Sequence, residues 1–182
     1  MSHRLRPAVP PSARVRAAPP RSAGGTRAVV GLVSDTHGRV RPQLATVFAG
    51  VDLIVHAGDV GGRAVLEALA AMAPVEAVSG NVDDRHDPSL PRTRTLPVGG
   101  RTLHVSHGDE LGSPTPEALL ARYSAGILVY GHTHRPLLVR APDGRIVVNP
   151  GAAGPQRFHL KPSVAILTVT GHDVDVRFIE LP

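Results

Sequence analysis

Asp35, His37, Asp59, Asn81, His107, His132 and His134 are the residues whose types and spacing could do chemistry together. They sit in five short polar clusters: Ser34-Asp35-Thr36-His37-Gly38, Gly58-Asp59, Gly80-Asn81-Val82-Asp83, Ser106-His107-Gly108 and Gly131-His132-Thr133-His134. Two carboxylates, four imidazoles and one amide form a ligand set for two divalent metal ions. Such a pair generates hydroxide near neutral pH and stabilises phosphoryl charge, so metal-assisted hydrolysis of a phosphate ester is the first expectation. The chain has no cysteine, so the set is nitrogen and oxygen only. That suits Mn, Fe, Co, Ni or Zn better than Mg or Ca, which want mostly oxygen. Two divalent ions outweigh Asp35, Asp59 and a bridging hydroxide, and the excess positive charge attracts phosphate.

Each cluster follows an apolar run that reads as a strand. Runs 28–33, 51–55 and 74–78 are predicted strands, and 41–48 and 63–72 are predicted helices between them. This β-α-β-α-β order implies parallel strands with crossover helices. The second half reads as a hairpin (95–98 and 101–105), a helix (116–123), a buried strand (126–130) and two more hairpins. The first of these turns at Ala141-Pro142-Asp143-Gly144 and the second at Gly171-His172-Asp173. The pattern predicts an α/β fold of two packed sheets with helices outside. Ligand sites gather beyond the carboxyl ends of strands in open α/β sheets, so these loops should meet there. In extended backbone, residues two apart point to the same side, so Asp35 and His37 should address one ion together, and His132 and His134 adjacent positions of a two-metal cluster. Gly38, Gly58, Gly80, Gly108 and Gly131 permit tight turns beside them.

Length and composition fit one domain with a substantial core: 182 residues, 42% hydrophobic. Aromatics are only 3%, which disfavours a single-strand nucleic-acid platform built on base stacking. Six arginines and no acidic residue fall in 1–27, so removing six from the net +5 leaves −1 for 28–182. The high pI therefore belongs to the extension, and nucleic acid is an unlikely partner for the body. Residues 1–27, rich in Arg, Pro and Ala, are expected to be a disordered extension of a domain spanning 28–182. No apolar run reaches membrane-spanning length and the start is a poor secretory signal, so the cytoplasm is the expected compartment. His56, His86, His104, His159 and His172 fall outside the clusters and are read as structural or solvated.

A lone Gly-Asp or Asp-x-His is common, but five clusters in this order, each at a strand end, are specific. At these residues the chain resembles the calcineurin-like metallophosphoesterase superfamily, whose pattern is D-x-H, G-D, G-N-H-D/E, H and G-H-x-H. It is most similar to the small YfcE-like phosphodiesterase family, which also has counterparts of His56-Ala57-Gly58-Asp59 and Asn149-Pro150-Gly151. The resemblance covers residues 28 to about 180. It implies two facing mixed β-sheets flanked by helices, an α-β-β-α sandwich, with a dinuclear site at the strand C-terminal ends. Carried over by position, Asp35, His37 and His134 would hold one ion, and Asn81, His107 and His132 the other. Asp59 would bridge them. Asp59, Asn81 and His107 would then be catalytic, and Arg135, following His134, could contact substrate phosphate.

The resemblance also implies a small phosphodiester or phosphomonoester substrate and, with manganese foremost, a transition-metal pair. A homo-oligomer is compatible with it. Two other readings are a nuclease and a protein-interaction scaffold, since a subunit of the retromer coat resembles the same fold. Scaffolds of that kind tend to lose ligands, whereas this chain has all seven. One departure stands out: many superfamily members place a histidine where this chain has Val82, and valine cannot protonate a leaving group. Asp83 either orients a ligand histidine or caps a turn.

Overall fold

The computed structural model describes residues 27–156 and 159–182. The expected extension, apart from Arg27, lies outside the described residues. The strands are β1 (Ala28–Val33), β2 (Leu53–His56), β3 (Val75–Ala77), β4 (Thr93–Val98) and β5 (Arg101–Ser106), then β6 (Ile127–Val129), β7 (Leu137–Arg140), β8 (Ile146–Asn149), β9 (Ser163–Thr170) and β10 (Asp173–Glu180). The helices are α1 (Gln43–Val47), α2 (Arg63–Ala70) and α3 (Pro116–Arg122). The strands form two five-stranded sheets, ordered β10-β9-β1-β2-β3 and β4-β5-β6-β8-β7. Both are mixed. β1, β2 and β3 are parallel, as are β5, β6 and β8, while the hairpin strands run antiparallel.

Alternation along the strands builds the layers. Val30 and Leu32 of β1, Val105 of β5, Val129 of β6 and Val148 of β8 all enter the core between the sheets. Their neighbours in sequence turn outward. Val33 and Ile54 meet Leu44, Phe48, Val65 and Leu69 beneath α1 and α2. Leu128 and Val147 meet Leu119 of α3 on the far side. A period of two therefore produces three apolar layers from single strands, and burial of both faces explains their continuous apolar runs. Gly31 is the point of closest approach on β1. A Cβ there would lie 2.7 Å from the Phe48 ring.

The α-β-β-α sandwich expected from the sequence is the one observed. The helices are shorter than predicted: α1 begins at Gln43 with Pro42 as its N-cap, and α2 ends at Ala70. Among the described residues no helix is long and apolar enough to cross a membrane.

Candidate metal centre

Parallel pairing brings the polar loops to one end of the molecule. β1, β2 and β3 deliver Asp35, His37, Asp59 and Asn81, and β5 and β6 of the facing sheet deliver His107, His132 and His134. Beyond β1 and β2 the two chains stay zipped together. Asp35 N donates to Gly58 O at 3.0 Å, His37 N to Asp59 O at 3.0 Å, and Gly38 N to Val60 O at 2.9 Å. Gly131 N donates to His107 O at 3.1 Å, which joins the two loops of the second sheet.

All seven predicted side chains meet. His134 Nε2 is 3.1 Å from Asp35 Oδ1. His37 Nε2 is 3.9 Å from Asp59 Oδ2, and His107 Nε2 is 3.4 Å from Asp59 Oδ1. Asn81 Oδ1 lies 3.2 Å from both His107 Nε2 and His132 Nδ1. Ligand atoms of Asp35, His37 and His134 fall within 4.8 Å of one another, as do those of Asp35, Asp59 and His107. Asp59 thus presents one oxygen to each half of the cluster. Arg135 is exposed on the rim, next to His134.

One expectation about local geometry needs correction. The i, i+2 pairs do face a common site, but their backbone is not extended. Asp35, His37, Asp59, His132 and His134 have φ of 53°, 46°, 53°, 65° and 59°. They are the only non-glycine residues in the left-handed region among the described residues, and all five belong to the cluster. Such conformations persist only where surrounding structure over-determines them, and they gather at functional sites. The same crowding explains Gly80, where a Cβ would collide with the Asp59 backbone nitrogen and Oδ1.

The electrostatics fit a cation. Asp35 is fully buried and neither carboxylate oxygen has a hydrogen bond, although His134 Nε2 lies close to Oδ1 without the alignment of one. A carboxylate stripped of water and of donors is costly unless a positive charge completes it. Burial favours neutral forms at Asp59 and His107, but their mutual hydrogen bond and charges win. They bring Asp59 down to about 2 and raise His107 to about 9. His107 Nδ1 lies 2.8 Å from Ala57 O, which holds the proton on Nδ1 and turns Nε2 toward the cluster.

Two residues that the sequence named without settling their roles also shape the site. Asp83 caps turns and does not orient a histidine: its carboxylate accepts from Val60 N at 3.0 Å, Gly61 N at 2.9 Å and Gly80 N at 2.9 Å. Asn149, fully buried, donates to Gly131 O at 2.7 Å. The signal for both was a polar residue closing or following an apolar run.

His56 is fully buried at the end of β2. Thr36 Oγ1 donates its single proton to Val60 O at 2.8 Å, so it accepts from His56 Nε2 at 2.9 Å. His56 Nδ1 is buried with no acceptor for a second proton. Burial accordingly lowers its pKa to about 4. Between the ordinary value of about 6.5 and this depressed one, only the unfolded chain takes up the proton. Stability therefore falls with pH across that window, by about 3 kcal/mol in all. Asp59 and His107 contribute outside it, the first below the usual carboxylate range and the second above the usual imidazole range. In chelator, urea midpoints from pH 7 to 4 should fall further for the wild type than for His56→Gln, which keeps the N–H donor. Parallel pH curves for the two proteins would contradict this assignment.

The family model of the calcineurin-like phosphoesterase superfamily domain matches residues 29–172. A probable metallophosphoesterase of Methanothermobacter thermautotrophicus is 31% identical over 161 residues, covering 83% of this chain and 91% of the relative. A probable metallophosphoesterase of Methanocaldococcus jannaschii is 35% identical over 147 residues, covering 76% and 74%. Among solved structures, vacuolar protein sorting 29 of Cryptosporidium parvum superposes with a TM-score of 0.71 at 21% identity, covering 85% of this chain and 98% of that one. That last likeness is one of fold.

Proposed function

The chain belongs to the calcineurin-like phosphoesterase superfamily, and from that premise we propose that it is a dinuclear metal-dependent phosphodiesterase acting on a small substrate. The observation that carries this reading is the convergence of seven ligand-type side chains: Asp59, His37, His107, Asn81 and His132 in contact, and the Asp35–His134 pair with ligand atoms within 4.8 Å of those of His37, Asp59 or His107. Asp35, His37 and His134 would hold one divalent ion, and Asn81, His107 and His132 the other. Asp59 would serve both. When bound, the pair supplies a nucleophile at neutral pH and Lewis acidity toward the phosphoryl oxygens.

The protein's own groups do the rest. Asp35 and Asp59 set the charge, and the neutral imidazoles and Asn81 leave an excess that favours an anionic substrate. The backbone ladder between the loops after β1 and β2 holds the ligands before substrate arrives, which is the preorganisation such catalysis needs. Val82 N donates to Asp59 Oδ1 at 3.1 Å, while its side chain is 55% exposed at the mouth. Arg135, exposed beside His134, would meet a phosphate oxygen of the substrate. Manganese is the preferred ion, with Ni, Co, Fe or Zn as substitutes, and the cytoplasm is the proposed compartment.

The scaffold reading draws only on the fold likeness to vacuolar protein sorting 29, and the intact ligand set favours the enzyme. The test is elemental analysis together with hydrolysis of bis-p-nitrophenyl phosphate and p-nitrophenyl phosphate across added Mn, Ni, Co, Zn and Mg. Faster metal-dependent cleavage of the diester is expected. Monoester-selective cleavage would replace the diester assignment, and the absence of metal-dependent cleavage on both would favour the scaffold.

A further inference from the structure

Two threonines occupy equivalent places in the two ligand pairs. Thr36 separates Asp35 from His37, and Thr133 separates His132 from His134. In each triplet the outer residues are left-handed and the threonine is not. In each, the threonine hydroxyl meets a fully buried polar side chain that ends a strand of the sheet beneath. His56, last residue of β2, places Nε2 2.9 Å from Thr36 Oγ1. Asn149, last residue of β8, donates Nδ2 to Thr133 Oγ1 at 3.0 Å. One anchor comes from each sheet, and neither is among the seven ligand-type residues.

We propose that Thr36 and Thr133 are positioning residues, each fastening a left-handed ligand pair to its own sheet through a buried anchor, His56 in one and Asn149 in the other. The physical need is specific. Left-handed backbone is unfavourable for Asp and His, and two such residues around one ordinary residue would relax without a restraint between them. The threonine is the only residue of each triplet free to supply it, because both neighbours are committed to the cluster. Further bonds reinforce each fastening. Thr36 also donates to Val60 O at 2.8 Å, which couples its triplet to the Asp59 loop. Asn149 also donates to Gly131 O at 2.7 Å and accepts from Gly151 N at 2.9 Å. A threonine chosen only for packing would need no hydroxyl, and valine would replace it.

This inference rests on reading the seven side chains as ion ligands, so the test reads metal binding without substrate. Mn2+ binding to the full chain is titrated by electron paramagnetic resonance and calorimetry for Thr36→Val, Thr36→Ser, Thr133→Val and Thr133→Ser. Urea midpoints in chelator are measured alongside. Outer partners of metal ligands typically set affinity by about 10- to 100-fold, and losses of that size are expected for both valine variants. The serine variants should bind like the wild type. Thr133 is half-buried where Thr36 is fully buried, so Thr133→Val remains informative even if Thr36→Val fails to fold. Folded valine variants with wild-type affinity would overturn the inference alone, as would serine variants that bind as weakly as valine. A wild-type chain that binds no Mn2+ would overturn both the inference and the metal-centre reading beneath it.

Discussion

Asp59→Asn should remove metal-dependent turnover, by about three orders of magnitude or more, and leave the chain folded. The carboxylate oxygens diverge, with Oδ1 3.4 Å from His107 Nε2 and Oδ2 3.9 Å from His37 Nε2. An amide retains one acceptor and turns a donor toward the other half of the cluster, so under the proposed reading one ion would lose its shared ligand and the site would lose a negative charge. Lewis-acid stabilisation by a bound ion is worth several kcal/mol, and each 1.36 kcal/mol is about tenfold in rate. The fold should survive because Asn, like Asp, tolerates the left-handed φ of 53° at this position. The measurement pairs single-turnover and steady-state rates with metal content and a thermal melt. A folded variant that keeps a tenth of wild-type turnover would exclude Asp59 as the shared ligand.

Aryl diesters should be cleaved faster than alkyl diesters by about two to four orders of magnitude, the usual contribution of a general acid. A nitrophenolate departs at neutral pH without a proton, whereas an alkoxide needs one. The position where many superfamily members carry histidine holds Val82, whose exposed side chain has no proton to give. Its backbone N–H is committed to Asp59. The comparison is kcat/KM for bis-p-nitrophenyl phosphate against methyl and ethyl diesters of matched charge. Val82→His places an imidazole at the same exposed spot and should narrow the gap mainly by raising the alkyl rates. Equal rates for both classes in the wild type would show that another acid serves the leaving group.

Much of this was legible locally. Apolar, β-branched runs ending in Gly, Asp, Asn or His mark a buried strand followed by a ligand loop, and the structure has a strand before each such loop. Hairpin turns were legible for the same reason, since Gly99-Gly100 and Asp143-Gly144 record the turn chemistry within a few residues. The i, i+2 spacing anticipated that ligand atoms of Asp35 and His37 lie within 4.8 Å of each other, although the backbone route to that pairing was misread. Left-handed φ at non-glycine residues has no local sequence marker, because the restraint comes from neighbouring loops. His56 was assigned to structure or solvent for a similar reason. Its importance depends on the Thr36 hydroxyl 20 residues earlier in the chain.

Residue chemistry and strand order alone determined that a nitrogen-and-oxygen ligand set would gather at strand ends, because loop position follows from alternating elements. Only the tertiary structure decided how the set is held. It placed the C-terminal hairpin β9-β10 beside β1, drew Asn149 under the His132 loop, and spread the Asp83 carboxylate across three backbone amides. Apart from the Gly80 bond to Asp83, those contacts join residues distant in the chain. Their energy comes from hydrogen bonds and apolar burial between groups that only folding brings within reach of one another, so no short stretch of sequence records them.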